Sequence, residues 1–291
     1  MHYVDAKSIL SASNGMNIYR GCTHGCIYCD SRSSCYHFTH AFEDIEVKRN
    51  ALELLEAALR RKRRKCMIGT GAMCDPYMPV EKELRLSRRM LELIAEYGFG
   101  VTLQTKSDLV LRDFDLLERI QRSTKAVLQM TLTTYDDALC RILEPNVCAS
   151  SRRFEVLCSC RQLGIPSVVW ISPILPFIND TEENIRGLLD YCVRAEVKGI
   201  VSFGMGVTLR HGDREYFYAA LDRHFPGMKE RYIRTFAERY ELASPREAAL
   251  MRILEDGCRR HHIMLGWKEV FAYLREFPGE KAQPSLQLDL F

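Results

Sequence analysis

Three cysteines fall within eight residues, Cys22, Cys26 and Cys29 in GCTHGCIYCDS, at the spacing C-x3-C-x2-C. Three thiolates this close on one loop can hold three irons of a [4Fe–4S] cluster and leave the fourth iron open. An open iron can chelate the amino and carboxylate groups of a small molecule. The same loop could instead hold zinc, with Cys35 or His24 as a fourth ligand. Zinc loops more often carry C-x2-C pairs, so the spacing favours iron. Of the twelve cysteines in the chain, Cys158 and Cys160 form a C-x-C on a helical pattern and face different directions. They are read as structural, together with Cys140, Cys148, Cys192 and Cys258.

A loop of this kind needs a rigid frame. The chain has 291 residues, 47% apolar and 27% charged, with a net charge of +3. That is an ordinary globular composition with no global nucleic-acid signature. No apolar run approaches a membrane span, and MHYVDAKSIL lacks a secretion signal, so a cytoplasmic location with reduced thiols is expected. Short apolar runs read as buried strands at Cys66–Gly71, Val101–Thr105, Ala126–Leu132, Ser167–Ile171 and Gly199–Phe203. Helical periodicity lies between them, over Val47–Lys62, Arg85–Tyr97, Phe114–Gln121, Arg152–Leu163 and Glu182–Ala195. The stretch Asp180-Thr-Glu-Glu183 predicts a helix start capped by Asp180. Gly98 and Gly164 follow helix ends, where the left-handed conformation is cheap only for glycine.

This alternation implies a parallel sheet with right-handed crossovers. With Asn14–Arg20 as the first strand there are six units, fewer than the eight of a closed barrel, so the fold class is α/β, an open partial (β/α)6 barrel. Residues 1–211 form this core, 212–277 a helical extension packed on it, and 278–291 a flexible tail. Active sites in such sheets gather at the carboxyl ends of the strands. There the chain offers Gly69 and Gly71, where backbone could approach a ligand, and then Lys106, Thr131, Thr133 and Ser172.

The cysteine spacing, with Tyr28 just before the third cysteine, resembles the radical S-adenosylmethionine (radical SAM) superfamily. The segments DPYMPVEKELRLSR, TKSDLVLRDFDLL, TLTTYDDALCRILEP and PILPFIND are similar to its spore photoproduct lyase-like group, the DNA-repair photolyase-like proteins. The likeness runs over roughly the first 205 residues. It implies a [4Fe–4S] cluster, S-adenosylmethionine and a 5′-deoxyadenosyl radical, with an electron donor such as flavodoxin or ferredoxin. It also implies that Lys106, Thr131 and Ser172, and Glu144 in LEP, lie where the lyase contacts the cofactor. Two departures set this chain apart from the lyase itself. The lyase's hydrogen-donating cysteine aligns with Ala72, and a relay tyrosine aligns with Asp30. Cys74, two residues on, is the candidate hydrogen donor and, with Tyr28, a candidate catalytic residue.

The last residues, Gln287–Phe291 (QLDLF), resemble the peptide by which bacterial polymerases and repair proteins dock on the DNA sliding clamp. Apolar anchors on a short tail are how chain ends dock into preformed grooves. Such a partner would make DNA the substrate, in repair or base modification. Two rival readings stay open. One is a zinc-binding, nucleic-acid-associated module without radical chemistry. The other is a radical enzyme for a substrate other than nucleic acid. The run Arg60–Lys65 (RRKRRK) is read first as a solvated helix end and second as a phosphate-contacting surface.

Overall fold

Successive strands pair in the computed structural model, which describes residues 1–279. The strands are β1 (His2–Val4), β2 (Gly15–Met16), β3 (Tyr19–Arg20), β4 (Glu46–Lys48), β5 (Met67–Thr70), β6 (Gly100–Thr105), β7 (Ala126–Thr131), β8 (Ser167–Trp170), β9 (Gly199–Val201), β10 (Gly206–Thr208), β11 (Glu241–Ala243) and β12 (Met264–Leu265). Seven of them form one sheet in the order β12-β9-β8-β7-β6-β5-β2. All its pairings are parallel. The edges β2 and β12 do not pair with each other, so the barrel is open. The expected first strand, Asn14–Arg20, is split. Its first part joins this sheet, while β3 joins a smaller sheet in the order β1-β4-β3.

The crossover helices follow the predicted periodicity. They include Ala51–Arg61, Leu86–Glu96, Phe114–Ser123, Ser150–Gln162 and Glu182–Arg194. Gly98 and Gly164 take φ values of 65° and 67°, as helix-terminating glycines should. Asp180 is not the cap of the last of these helices. Thr181 is, accepting from the Asn184 backbone N–H at 3.1 Å, while Asp180 accepts a 2.5 Å bond from Ser244. A threonine oxygen one residue nearer the helix reaches the free N–H, and burial against Ser244 takes the aspartate elsewhere.

The outer face of the sheet carries Ile68, Val101, Leu103, Leu128, Met130 and Val169, in one core with Leu55, Leu91, Leu117, Val156 and Leu188 of the helices. The inner face differs. Register places Gln104, Gln129 and Val168 in one row and Thr131, Trp170 and Val201 in the next. Its apolar members Val127, Val168 and Val201 pack on Val270 and Leu274 of the helix Trp267–Arg275. The chain therefore returns to its own sheet after residue 246. The helix Glu247–His261 joins the main core through Leu250, Leu254 and Cys258, and β12 extends the sheet edge. Residues 206–243 do something else. Val207, Leu209, Phe217, Leu221, Tyr232, Phe236 and Leu242 bury Cys26, Ile27 and Tyr28 of the cysteine loop. No helix among the described residues is long and apolar enough to cross a membrane.

Candidate cofactor site

The cysteine loop leaves β3 through Gly21, whose φ is 85°. A Cβ there would lie 2.4 Å from the Phe42 carbonyl oxygen, so only glycine fits. Gly25, at φ 73°, lies against Pro145 and Asn146. The backbone then ties the loop to the segment after β7. Ile27 N–H donates to Leu143 O at 2.9 Å, and Asn146 N–H donates to His24 O at 3.1 Å. The Asn146 side chain adds a 2.8 Å bond to Thr23 O. Cys22 and Cys26 are buried, Cys29 is partly exposed, and all three are free thiols. Burial raises the Cys22 thiol well above its usual range, with Cys26 and Asp75 adding to the effect. Burial also pushes Cys26 up to about 12 against the pull of Lys106. Thiols this hard to ionise become thiolates when a metal charge arrives, because a coordinating thiol is deprotonated outright.

Charged groups surround the loop. Asp75 accepts from Thr105 Oγ1 at 2.7 Å, Lys106 N–H at 2.7 Å and Tyr77 N–H at 2.8 Å. It also lies 3.0 Å from His24 Nε2. Burial opposes its ionisation, but His24 and these donors outweigh burial and hold the carboxyl near 2. Glu144 is fully buried and accepts from the Tyr28 hydroxyl and from Arg153 Nη2, the latter at 2.6 Å. Arg153, also fully buried, donates to Thr131 O at 3.0 Å and Cys148 O at 2.9 Å. Burial works against the Lys106 ammonium, yet Cys26, Glu144, Asp75 and Cys29 together hold it charged. Lys106 is thus a cation kept among thiols and carboxylates beside the loop.

Gly69 and Thr131 lie in strands and register to the inner face, where Gly69 faces Thr102. Gly71, Lys106, Thr133 and Ser172 follow the ends of β5 to β8. The Thr133 hydroxyl is buried without a partner. Gly71 has φ 98°, and a Cβ on it would lie 2.0 Å from Gln104 O. The neighbouring strand therefore demands glycine there whatever binds above it. Cys74 is buried in the main core, donating from Sγ to the Tyr19 carbonyl at 2.9 Å. Burial pushes its thiol up to about 12. Arg153 was not picked out from sequence. It occupies the apolar stripe Arg153-Val156-Leu157-Cys160 of its helix, and a charge in such a stripe is the signal that could have found it.

The Radical SAM superfamily model matches residues 16–192, which takes in the cysteine loop and β5 to β8. The chain belongs to the radical SAM superfamily of enzymes. An uncharacterized protein of Mycobacterium tuberculosis is 28% identical over 228 residues, 75% of this chain and 65% of that one. The chain thus spans just under two thirds of the length of its mycobacterial relatives. An uncharacterized protein of Methanocaldococcus jannaschii is 30% identical over 181 residues, 62% of this chain and 67% of that one. Among solved structures, a variant of spore photoproduct lyase superposes with a TM-score of 0.64 at 11% identity, covering 91% of this chain and 80% of that one. Another variant, with bound AdoMet and dinucleoside spore photoproduct, gives 0.65 at 10% identity with the same coverage. At such identities these two likenesses concern the fold.

The donor set of this radical SAM chain fits the family's cofactors. Cys22, Cys26 and Cys29 are free, soft thiol donors on one loop, a set that suits three irons of a cluster and leaves the fourth open. His24 faces Asp75, and Cys35 is exposed between Ser33 and Arg210, which donate to its sulfur at 3.2 and 3.1 Å. The orphaned Thr133 hydroxyl and the Lys106 ammonium are suited to a polar, carboxylate-bearing ligand beside the cluster.

Proposed function

We propose that the chain is a [4Fe–4S]- and S-adenosylmethionine-dependent enzyme that removes hydrogen from a nucleic-acid substrate, in DNA repair or base modification. When bound, the cluster and S-adenosylmethionine supply the one-electron chemistry that attacks an unactivated C–H bond. Cys22, Cys26 and Cys29 would hold the cluster, and Lys106, Thr131, Thr133 and Ser172 the cofactor's polar groups. Cys74 is the proposed source of a second hydrogen. A flavodoxin or ferredoxin would supply the electron.

The observation that carries the substrate class is an aromatic group at the open end of the inner face. Trp170 ends β8, its ring centroid 5.9 Å from Phe203 and 5.8 Å from Phe271. Phe203 is 53% exposed although it lies only two residues past the end of β9. Trp170 is held by a polar chain across the sheet. Its Nε1–H donates to Gln129 at 2.9 Å, and the Gln129 amide donates to Thr102 at 2.6 Å. Fixed rings with one open face, at strand ends beside a cofactor site, suit a flat base, and such stacking tolerates any base. Two further points support DNA. The related fold of spore photoproduct lyase is known with a bound dinucleoside photoproduct. Gln287–Phe291, which lies outside the described residues, carries the clamp-peptide pattern.

The test is anaerobic. Reconstituted protein with reductant and S-adenosylmethionine should release 5′-deoxyadenosine, and deuterium from labelled single-stranded or damaged DNA should enter it. Phe203→Ala should raise the DNA concentration needed while leaving DNA-free cofactor cleavage unchanged. Deuterium-free product with every DNA tested, alongside active cofactor cleavage, would move the substrate to another class.

A further inference from the structure

Outside the cysteine loop the chain holds a second gathering of ligand atoms. His2, His40 and Glu46 are the one set of three possible ligating side chains, among the described residues, whose ligand atoms all lie within 4.8 Å of one another. The backbone enforces the juxtaposition. His2 of β1 and Glu46 of β4 are register partners in a parallel pair. His40 comes from the connection that precedes β4, and its ring meets that of His2 edge-on at 4.9 Å.

Each imidazole is oriented as metal ligands usually are, with the second ring nitrogen bound to a carboxylate or carbonyl. His40 Nδ1 is 2.9 Å from Ala41 O, which leaves Nε2 pointing at Glu46 Oε1, 2.8 Å away. His2 Nδ1 is 3.0 Å from Asp44 Oδ2, which leaves its Nε2 for a ligand. With Nδ1–H donating to Ala41 O, His40 Nε2 and the Glu46 carboxylate face each other across a 2.8 Å gap that a shared proton can bridge. A cation would take that proton's place.

The charges nearby are close to balanced, so the two imidazoles must carry most of the affinity. Two neutral imidazoles, Glu46 and Asp44 carry two negative charges between them. Arg20, 2.9 Å from Glu46 Oε1, returns one positive charge, and the amine of Met1 neutralises part of Asp44 from 2.8 Å. Glu46 keeps its second oxygen for a metal. The ligand side chains are partly exposed, so water can complete the coordination.

We infer that His2, His40 and Glu46 form a binding site for one zinc-class divalent cation, with Asp44 orienting His2 and water in the open position. Two imidazoles and a carboxylate suit zinc, cobalt and nickel over calcium or magnesium. The bound ion ties β1 and the connection before β4 to β4 itself. Strand β4 pairs with β3, which runs into the cysteine loop, so the ion stiffens the base from which that loop leaves.

The probe is Co2+ alone, added to the untagged full chain after its cysteines have been loaded with the [4Fe–4S] cluster. One Co2+ per chain should bind, and the difference spectrum against the cluster-loaded chain should show ligand-field absorption and no added sulfur-to-cobalt charge-transfer band. His2→Ala and His40→Gln should each weaken binding at least tenfold. The triple variant Cys22→Ala, Cys26→Ala, Cys29→Ala should keep it. Zn2+ should raise the melting temperature of the wild type and not of His2→Ala, and with a chelator present the two should melt alike, which reports that the variant folds. Sulfur charge transfer with loss of the ion in the triple variant would overturn the site. So would no retained Co2+, or unchanged binding in both histidine variants, either of which leaves a surface ion-pair cluster only.

Discussion

At the scale of single residues, the three loop cysteines and the buried Glu144–Arg153 pair carry different burdens. Alanine at Cys22, Cys26 or Cys29 should abolish iron incorporation on anaerobic reconstitution, while Cys35→Ala should retain about four irons per chain. An iron content that falls equally in the Cys35 variant would place a fourth thiolate on the cluster. Glu144 and Arg153 are each 0% exposed, and removing one strands the other's charge in the interior. Glu144→Gln or Arg153→Met should cost about 3–5 kcal/mol, a drop of at least about 6 °C in melting temperature. The double variant Glu144→Leu, Arg153→Met should recover much of that loss. Calorimetry of the four proteins decides it, and a double variant as unstable as the sum of the singles would deny the pair's isolation from water. Tyr28 shares Glu144, so these variants should also disturb the loop.

The elements matter through their ends. Gly21 joins β3 to the cysteine loop with φ 85° and the Phe42 carbonyl at the Cβ position. Gly21→Ala should therefore cost about 1–3 kcal/mol of backbone strain or more and lower cluster content. A variant with normal iron and an unshifted melting curve would show that the loop can leave β3 another way. Asp213 opens the helix Asp213–His224, accepting from Arg210 N–H at 2.7 Å while its other oxygen is buried without a partner. Burial, with Asp30 nearby, pushes its carboxyl up to about 6. The unfolded value is about 3.9, so the folded chain binds this proton more tightly. The associated stability is fully present below pH 4, roughly, and is lost as pH rises through about 6, on the order of 3 kcal/mol in all. Asp213→Asn should flatten denaturation midpoints measured across that window. A wild type whose stability does not fall there would mean that the carboxylate finds solvent.

For the whole molecule, the C-terminal segment decides whether the open barrel is usable. Val270 and Leu274 cover Val127, Val168 and Val201 on the inner face, and Lys125 Nζ donates to Tyr273 O at 2.6 Å from the other side of the contact. Leu274→Ala should cost about 2–5 kcal/mol, and ending the chain before Trp267 should expose the valines and cause aggregation. Light scattering and calorimetry test both, and a soluble truncated chain of unchanged stability would show that the helix is dispensable. Residues 206–243 cover the cysteine loop by packing on Cys26, Ile27 and Tyr28. The molecule thus uses one stretch of its C-terminal third to dry the cysteine loop and another to cover three valines of its own sheet.

The parallel barrel and the cysteine motif were legible in the chain because both are local. Strand runs, helical periodicity and glycine stops are written within a few residues, and the C-x3-C-x2-C loop needs only its own eight. Ser167–Trp170 and Glu182–Arg194 lie within a residue of where periodicity set them. Less was visible where two weak segments complete each other. Strand β12 has two residues and exists because β9 presents an unpaired edge. Glu144 and Arg153 cannot be matched by spacing, since their bond depends on how a loop and a helix close over one cavity. The same holds for His2, His40 and Glu46, which lie up to 44 positions apart and meet only because β1 pairs with β4. Periodicity sets which face a residue takes on its own element, but long-range pairing sets which groups share a desolvated space, and there only the tertiary structure decides their chemistry.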